Sequence, residues 1–131
     1  MVNQILVHVS NTPFEVIAYC KQNNILVEAY SPMGHGELLK NREIAAIAEK
    51  YNVSIPQLGI RYCIQLDTLP LPKTANPNHM KSNAAVDFEI SDTDMETMKK
   101  IRRIQNYGDA SLFPVYGGKM NADGTLIPRD F

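Results

Sequence analysis

The stretch VNQILVHVSNTPFEVIAYCKQNNILVEA, residues 2–29, decides the architecture. Its first eight residues are apolar and β-branched with few breaks, which predicts a buried strand over 2–9. Thr12 then reads as a helix N-cap, Pro13 suits the first helical position, and Glu15 completes a capping box. A helix follows over 13–22 with Phe14 and Ile17 turned inward. Asn23 and Asn24 end it, because Asn tolerates the left-handed conformation. Residues 25–29, ILVEA, read as a second strand. A strand, a crossover helix and a second strand make a parallel βα unit.

The alternation continues downstream. Pro32, Gly34 and Gly36 make 30–36 a loop. Ile44, Ala45, Ile47, Ala48 and Tyr51 recur at helical spacing, predicting a helix over 42–51 that Asn52 breaks. Ser54 and Gln57 form a capping box that opens a helix through Gln65, with Leu58, Tyr62 and Cys63 on its inner side. Residues 68–71 are a third short strand, and Asn76 with Pro77 starts a helix ending near Ala85. Ser91 with Asp94 caps a last helix, whose Met95, Met98 and Ile101 read as core. The periodicity then dissolves, which divides the chain into an α/β region, 1–104, and a loop-rich tail, 105–131. Three parallel strands are few for a sheet that needs cover on both faces. A (β/α)8 barrel takes about 250 residues, so the chain is either a small three-stranded layer or part of a larger barrel.

Composition narrows the function. The 131 residues carry 13 Lys plus Arg against 14 Asp plus Glu, a net charge of -1. That balance gives no footprint for nucleic-acid phosphates or an anionic membrane surface. The N-terminus lacks a basic region and a cleavage site, so it does not read as a secretory signal. Cys20 and Cys63 fit no CxxC pair and no zinc spacing, and read as reduced thiols packed as small hydrophobes. A soluble, cytoplasmic, metal-free protein is expected.

In βα architectures ligands sit at the carboxyl ends of the strands. The loop after the second strand, AYSPMGHG, offers an aromatic ring, a hydroxyl and backbone amides. The loop after the third, LPKTANPNHMKSN, places Lys73 and Thr74 just before a helix start, a combination that suits a phosphate. Neither is a GxGxxG or Walker A motif. By themselves these loops fit a phosphate site or ordinary capped turns.

Several motifs in order resemble the aldo-keto reductase family. They are Asn3-Gln4 on the first strand, Glu28-Ala29-Tyr30-Ser31-Pro32 ending the second, and Pro72-Lys73-Thr74 with Asn83 ten residues after Lys73. Ile60-Arg61-Tyr62 resembles the family's LRW segment. Asp87-Phe88-Glu89-Ile90-Ser91 with Asp94-Met95 resembles its FDFxLSxxDM stretch. The likeness runs over about 2–104 and implies the C-terminal part of a (β/α)8 barrel, from its sixth strand onward. The family reduces aldehydes and ketones with NADPH and without a metal. The resemblance implies that Gln4 bonds the nicotinamide carboxamide and Tyr30 stacks on its ring. Ser31, Met33 and Gly34 would hold the pyrophosphate, Lys73 and Thr74 the adenosine 2′-phosphate, and Asn83 the adenine. The family's Asp, Tyr, Lys and His tetrad lies in earlier strands, so no residue here inherits a catalytic role and the chain alone is expected to be inactive. The alternative is a non-enzymatic half-barrel that binds only a dinucleotide, or that associates with copies of itself through exposed edges.

Two departures from the family pattern stand out. Beyond Asn3-Gln4, the strand motif NQxEYHP keeps only His8, which reads as a satisfied structural residue. His79 stands where an Arg usually clamps the 2′-phosphate, and a neutral imidazole offers no permanently charged fork. NADH is therefore a possible second cofactor. The affinity ratio of NADPH to NADH is expected to rise as pH falls and the imidazole charges. Parallel titrations with both nucleotides check this, and equal ratios at acidic and alkaline pH contradict it.

Overall fold

The computed structural model describes residues 1–30, 32, 34–72 and 77–101, with two short backbone stretches at 119–120 and 126–127. The elements are β1 (Val2–Leu6), α1 (Phe14–Gln22), β2 (Leu26–Tyr30), a 3-10 segment (Gly34–Lys40), α2 (Arg42–Lys50), α3 (Ile55–Gln65), β3 (Leu69–Leu71), α4 (Pro77–Ala84) and α5 (Asp92–Lys99). Strands β1, β2 and β3 are parallel and adjacent in that order, as the alternating pattern implies. The region expected as a loop-rich tail also holds a small antiparallel pair, β4 (Lys119–Met120) and β5 (Leu126–Ile127).

Register separates the two faces of the parallel sheet. Asn3 pairs with Val27 and Ile5 with Ala29, while Val2 pairs with Leu26 and Gln4 with Glu28. Directly paired residues in a sheet point the same way. Val27 and Ala29 are buried in a core with Cys20, Leu38, Ile44, Leu58, Tyr62 and Met98, and Ile5 packs against it. The opposite face stays open: Val2, Leu26 and Leu69 are 54%, 46% and 46% exposed. In a closed barrel such a face lines the interior.

The first strand is shorter than the expected 2–9. After Leu6 the chain bends, and His8 and Asn11 exchange both backbone bonds, at 3.1 and 2.9 Å. Ser10 takes a φ of 74° inside that bend. Val7, His8 and Val9 are nonetheless fully buried. Thr12 does not cap α1. Its hydroxyl donates to the His8 carbonyl at 3.1 Å and meets the Tyr62 hydroxyl at 2.7 Å, so Pro13 occupies the N-cap without a side-chain bond. Phe14 is 44% exposed rather than inward, with the Lys99 ammonium 6.0 Å above its ring, and Ala45 is also exposed.

Other local signals appear as read. Ser54 accepts from the Gln57 amide at 3.2 Å, and Gln57 accepts from the Ser54 amide at 2.8 Å, closing the capping box. Helices α1, α2 and α3 all end alike, in Schellman motifs. Asn24, Asn52 and Asp67 take φ values of 56°, 55° and 59°. The next amides, of Ile25, Val53 and Thr68, reach back to the carbonyls of Cys20, Ala48 and Cys63.

Helix α5 is held by a polar knot. Ser91 caps it by accepting from the Asp94 amide at 3.2 Å. The Asp94 carboxylate turns mainly toward the end of α2. It accepts from Lys50 Nζ at 2.7 Å and from the Tyr51 hydroxyl at 2.5 Å, and that hydroxyl accepts from the Ser91 amide at 2.9 Å. The Lys50 bond, then the Tyr51 bond, lowers the Asp94 pKa. A depressed folded value gives stability that is full above the unfolded pKa of about 3.9 and lost as pH falls through the lower folded value. Asp94→Asn should therefore lower the melting temperature at neutral pH by a few degrees and flatten its acid decline, a change that melting curves taken from neutral to acidic pH will show.

Candidate functional site

Parallel pairing brings the three carboxyl ends to one edge, at Leu6, Tyr30 and Leu71. On the open face Gln4 and Glu28 are register partners, and Gln4 Nε2 donates to Glu28 Oε2 at 3.4 Å. Gln4 is exposed, and Tyr30 lies half-buried at the strand end beside Leu6 and Leu71. An open cavity of about 540 Å³ follows the end of β1, with Gln4, Leu6, Asn11, Thr12, Phe14 and Tyr30 among its walls. The fold thus brings Gln4 and Tyr30 to one cavity. The buried Ser10 hydroxyl, also at this cavity, has no hydrogen-bond partner among the described residues.

The other expected residues divide into two groups. Gly34 is buried, has a φ of 54° and opens the 3-10 segment that is the next element after β2. His79 and Asn83 both lie on α4 four residues apart, which puts them on one helix face. His79 is exposed and Asn83 half-buried. Ser31, Met33, Lys73 and Thr74 lie outside the described residues, as does the expected N-cap Asn76. Sequence reasoning missed Glu28 as the partner of Gln4. No local signal marks it, because the pairing is a matter of register between two strands whose expected lengths differ. It also missed where the bend begins, because the apolar Val7 and Val9 extend the strand pattern into a turn that Ser10, Asn11 and Thr12 complete.

The chain belongs to the aldo/keto reductase family. The sequence profile of that family matches residues 1–103. An uncharacterized oxidoreductase of Schizosaccharomyces pombe is 45% identical over 98 residues, covering 74% of this chain and 36% of the relative. The glyoxal reductase of Bacillus subtilis is 36% identical over 109 residues, covering 82% and 40%. Among solved structures, a silkworm aldo-keto reductase complexed with NADPH aligns with a TM-score of 0.72 at 30% identity, over 78% of this chain and 35% of that one. This chain therefore spans between about a third and two-fifths of the length of these relatives. Its three parallel strands and their helices form part of the family's (β/α)8 barrel.

Among the described residues of this aldo-keto reductase chain, Tyr62, Cys63 and Cys20 are packed into the interior. No group of three His, Cys, Asp or Glu among the described residues is placed to hold a metal ion, and no helix there is long and apolar enough to cross a membrane. The Tyr62 phenol is fully buried against Thr12, and burial pushes its pKa up to about 12. Burial likewise pushes the Cys63 thiol up to about 12, and its Sγ lies 3.7 Å from the Val7 carbonyl. Cys20 is 1% exposed and accepts from Asn3 Nδ2 at 3.6 Å. Thiolate is the reactive form, so Cys63 is not poised as a nucleophile, and burial closes Cys20 to reagents. A disulfide-exchange reagent should label neither thiol in the folded chain and both in denaturant, and fast labelling of the folded chain would contradict this packing.

Proposed function

We propose that this chain is the cofactor-binding part of an NADPH-dependent aldo-keto reductase, with 1–104 as the binding region. The observation that carries the proposal is the placement of Gln4 and Tyr30 at one cavity, at the carboxyl end of the sheet, in family motifs. The residues present suit the nucleotide. The Gln4 amide has both a donor and an acceptor for a carboxamide. The half-buried Tyr30 ring offers a flat apolar surface for a planar ring. Gly34 allows close backbone approach. Ser31 and Met33 complete the pyrophosphate loop in this reading, Lys73 and Thr74 receive the 2′-phosphate, and His79 and Asn83 receive the adenosine end from α4. When bound, the nicotinamide supplies a hydride to a small aldehyde or ketone.

Reduction also needs a proton donor at the carbonyl oxygen to stabilise developing charge. None of these 131 residues matches the family's tetrad. In this reading the chain alone, a cytoplasmic protein, binds the nucleotide and does not turn over a carbonyl. The open face with Val2, Leu26 and Leu69 supports a second reading, a half-barrel that associates with copies of itself. Light scattering of the purified chain separates the two, because only the second requires a mass above the monomer.

Titration with NADPH tests the first reading. Saturable binding without carbonyl reduction is expected. Tyr30→Ala should weaken binding by about tenfold, the ~1.4 kcal/mol scale of one aromatic stack. A folded chain that shows no saturable binding overturns the proposal.

A further inference from the structure

The sequence leaves His8 without a role in chemistry, yet it is among the most constrained side chains of the fold. It is 0% exposed. Its Nδ1 lies 2.5 Å from the Val9 carbonyl, and a carbonyl only accepts, so Nδ1 carries a proton. Its own amide and carbonyl are fixed by the exchange with Asn11, and its carbonyl also accepts from Thr12 Oγ1 at 3.1 Å. Backbone and ring are therefore both held, and the imidazole has one orientation.

The far edge of that ring meets the loop after β2. A Cβ placed on Gly34 would lie 3.2 Å from His8 Cε1, 3.2 Å from Nε2 and 3.5 Å from Cδ2. Gly34 has a φ of 54°, a conformation that L side chains adopt rarely. At Gly36, by contrast, an added Cβ would meet nothing within 4 Å. Glycine at 34 is thus demanded twice, by its backbone angle and by the imidazole beneath it. Glycine at 36 is demanded by angle alone.

We propose that His8 is a positioning residue for the nucleotide loop: its imidazole is the floor on which the Gly34 turn rests. The inference rests on the reading of that loop as the pyrophosphate holder. A loop carried by glycines has little stiffness of its own. Its height above the sheet must come from a neighbour that cannot move, and a buried ring bonded through Nδ1 is such a neighbour. The arrangement also ties the end of β1 to the loop after β2. Gln4 and Gly34 then keep a fixed spacing, which a ligand touching both requires.

The test compares two ligands on the purified chain and on His8→Asn, which keeps a short polar donor near the Val9 carbonyl but removes the ring edge under Gly34. NADPH spans the loop. Adenosine 2′-monophosphate, measured by displacement of NADPH, carries the adenine and 2′-phosphate but no pyrophosphate. We expect NADPH affinity to fall by about tenfold or more, adenosine 2′-monophosphate affinity to stay unchanged, and the melting temperature to stay within a few degrees. If His8→Asn does not fold, Gly34→Ala carries the same expectations, because it leaves the ring in place and lifts the loop. A variant that binds NADPH as the parent does overturns the inference and leaves the proposed function standing. Equal weakening of both ligands means general loosening and also overturns it. A parent chain that binds no NADPH overturns the proposed function and this inference together.

Discussion

A parallel strand pair cannot be joined by a tight turn, and this constraint orders the rest of the molecule. Each return to the start of the sheet needs a crossover, and right-handed crossovers on the same sheet put their helices on one side. Helices α1 and α3 therefore bury one face, with Val27 and Ala29 at its centre. The other face receives no crossover and keeps Val2, Leu26 and Leu69 in water. The same constraint sends all three carboxyl ends to one edge. Gln4 and Tyr30 share a cavity because both lie on the face and at the end that the crossovers leave open.

The elements legible in the sequence were those specified within one turn of chain. The Ser54–Gln57 capping box, the stops at Asn24 and Asn52, and the core row Met95, Met98 and Ile101 all rest on residues three or four apart or on a single backbone angle. Misread elements depend on distant partners. Thr12 has the chemistry of an N-cap, but Tyr62, fifty residues away, and the His8 carbonyl take its hydroxyl. The Ser91 cap on the Asp94 amide forms as read, but the Asp94 carboxylate goes to Lys50 and Tyr51 at the end of α2, more than forty residues away. Phe14 was read inward on hydrophobicity, while its place on α1 leaves it at the surface under Lys99.

The candidate site divides in the same way. Gln4, Tyr30, His79 and Asn83 were legible as positions, because motif spacing fixes where along the chain they fall. What surrounds them was not. The Gln4–Glu28 bond is a matter of strand register, and the packing of His8 on Gly34 joins two loops twenty-six residues apart. No periodicity encodes such a contact. A histidine inside an apolar run reads as a buried structural residue whether it supports a loop or merely fills space, and only the ring's bond to Val9 and its distance from Gly34 separate the two.

The three Schellman stops have a consequence outside the folded state. Each uses Asn or Asp at the left-handed position, and none uses glycine. A side chain there costs some strain in the folded backbone, which Asn and Asp bear better than other residues. It also narrows the conformations open to the chain when it is unfolded, where glycine would widen them. Part of what keeps α1, α2 and α3 in place is thus a smaller entropy to lose at their ends, a contribution that no contact in the folded structure displays. Among the described residues the positive-φ glycines are 34 and 36, both in the segment after β2, at the carboxyl edge of the sheet and away from the helix ends.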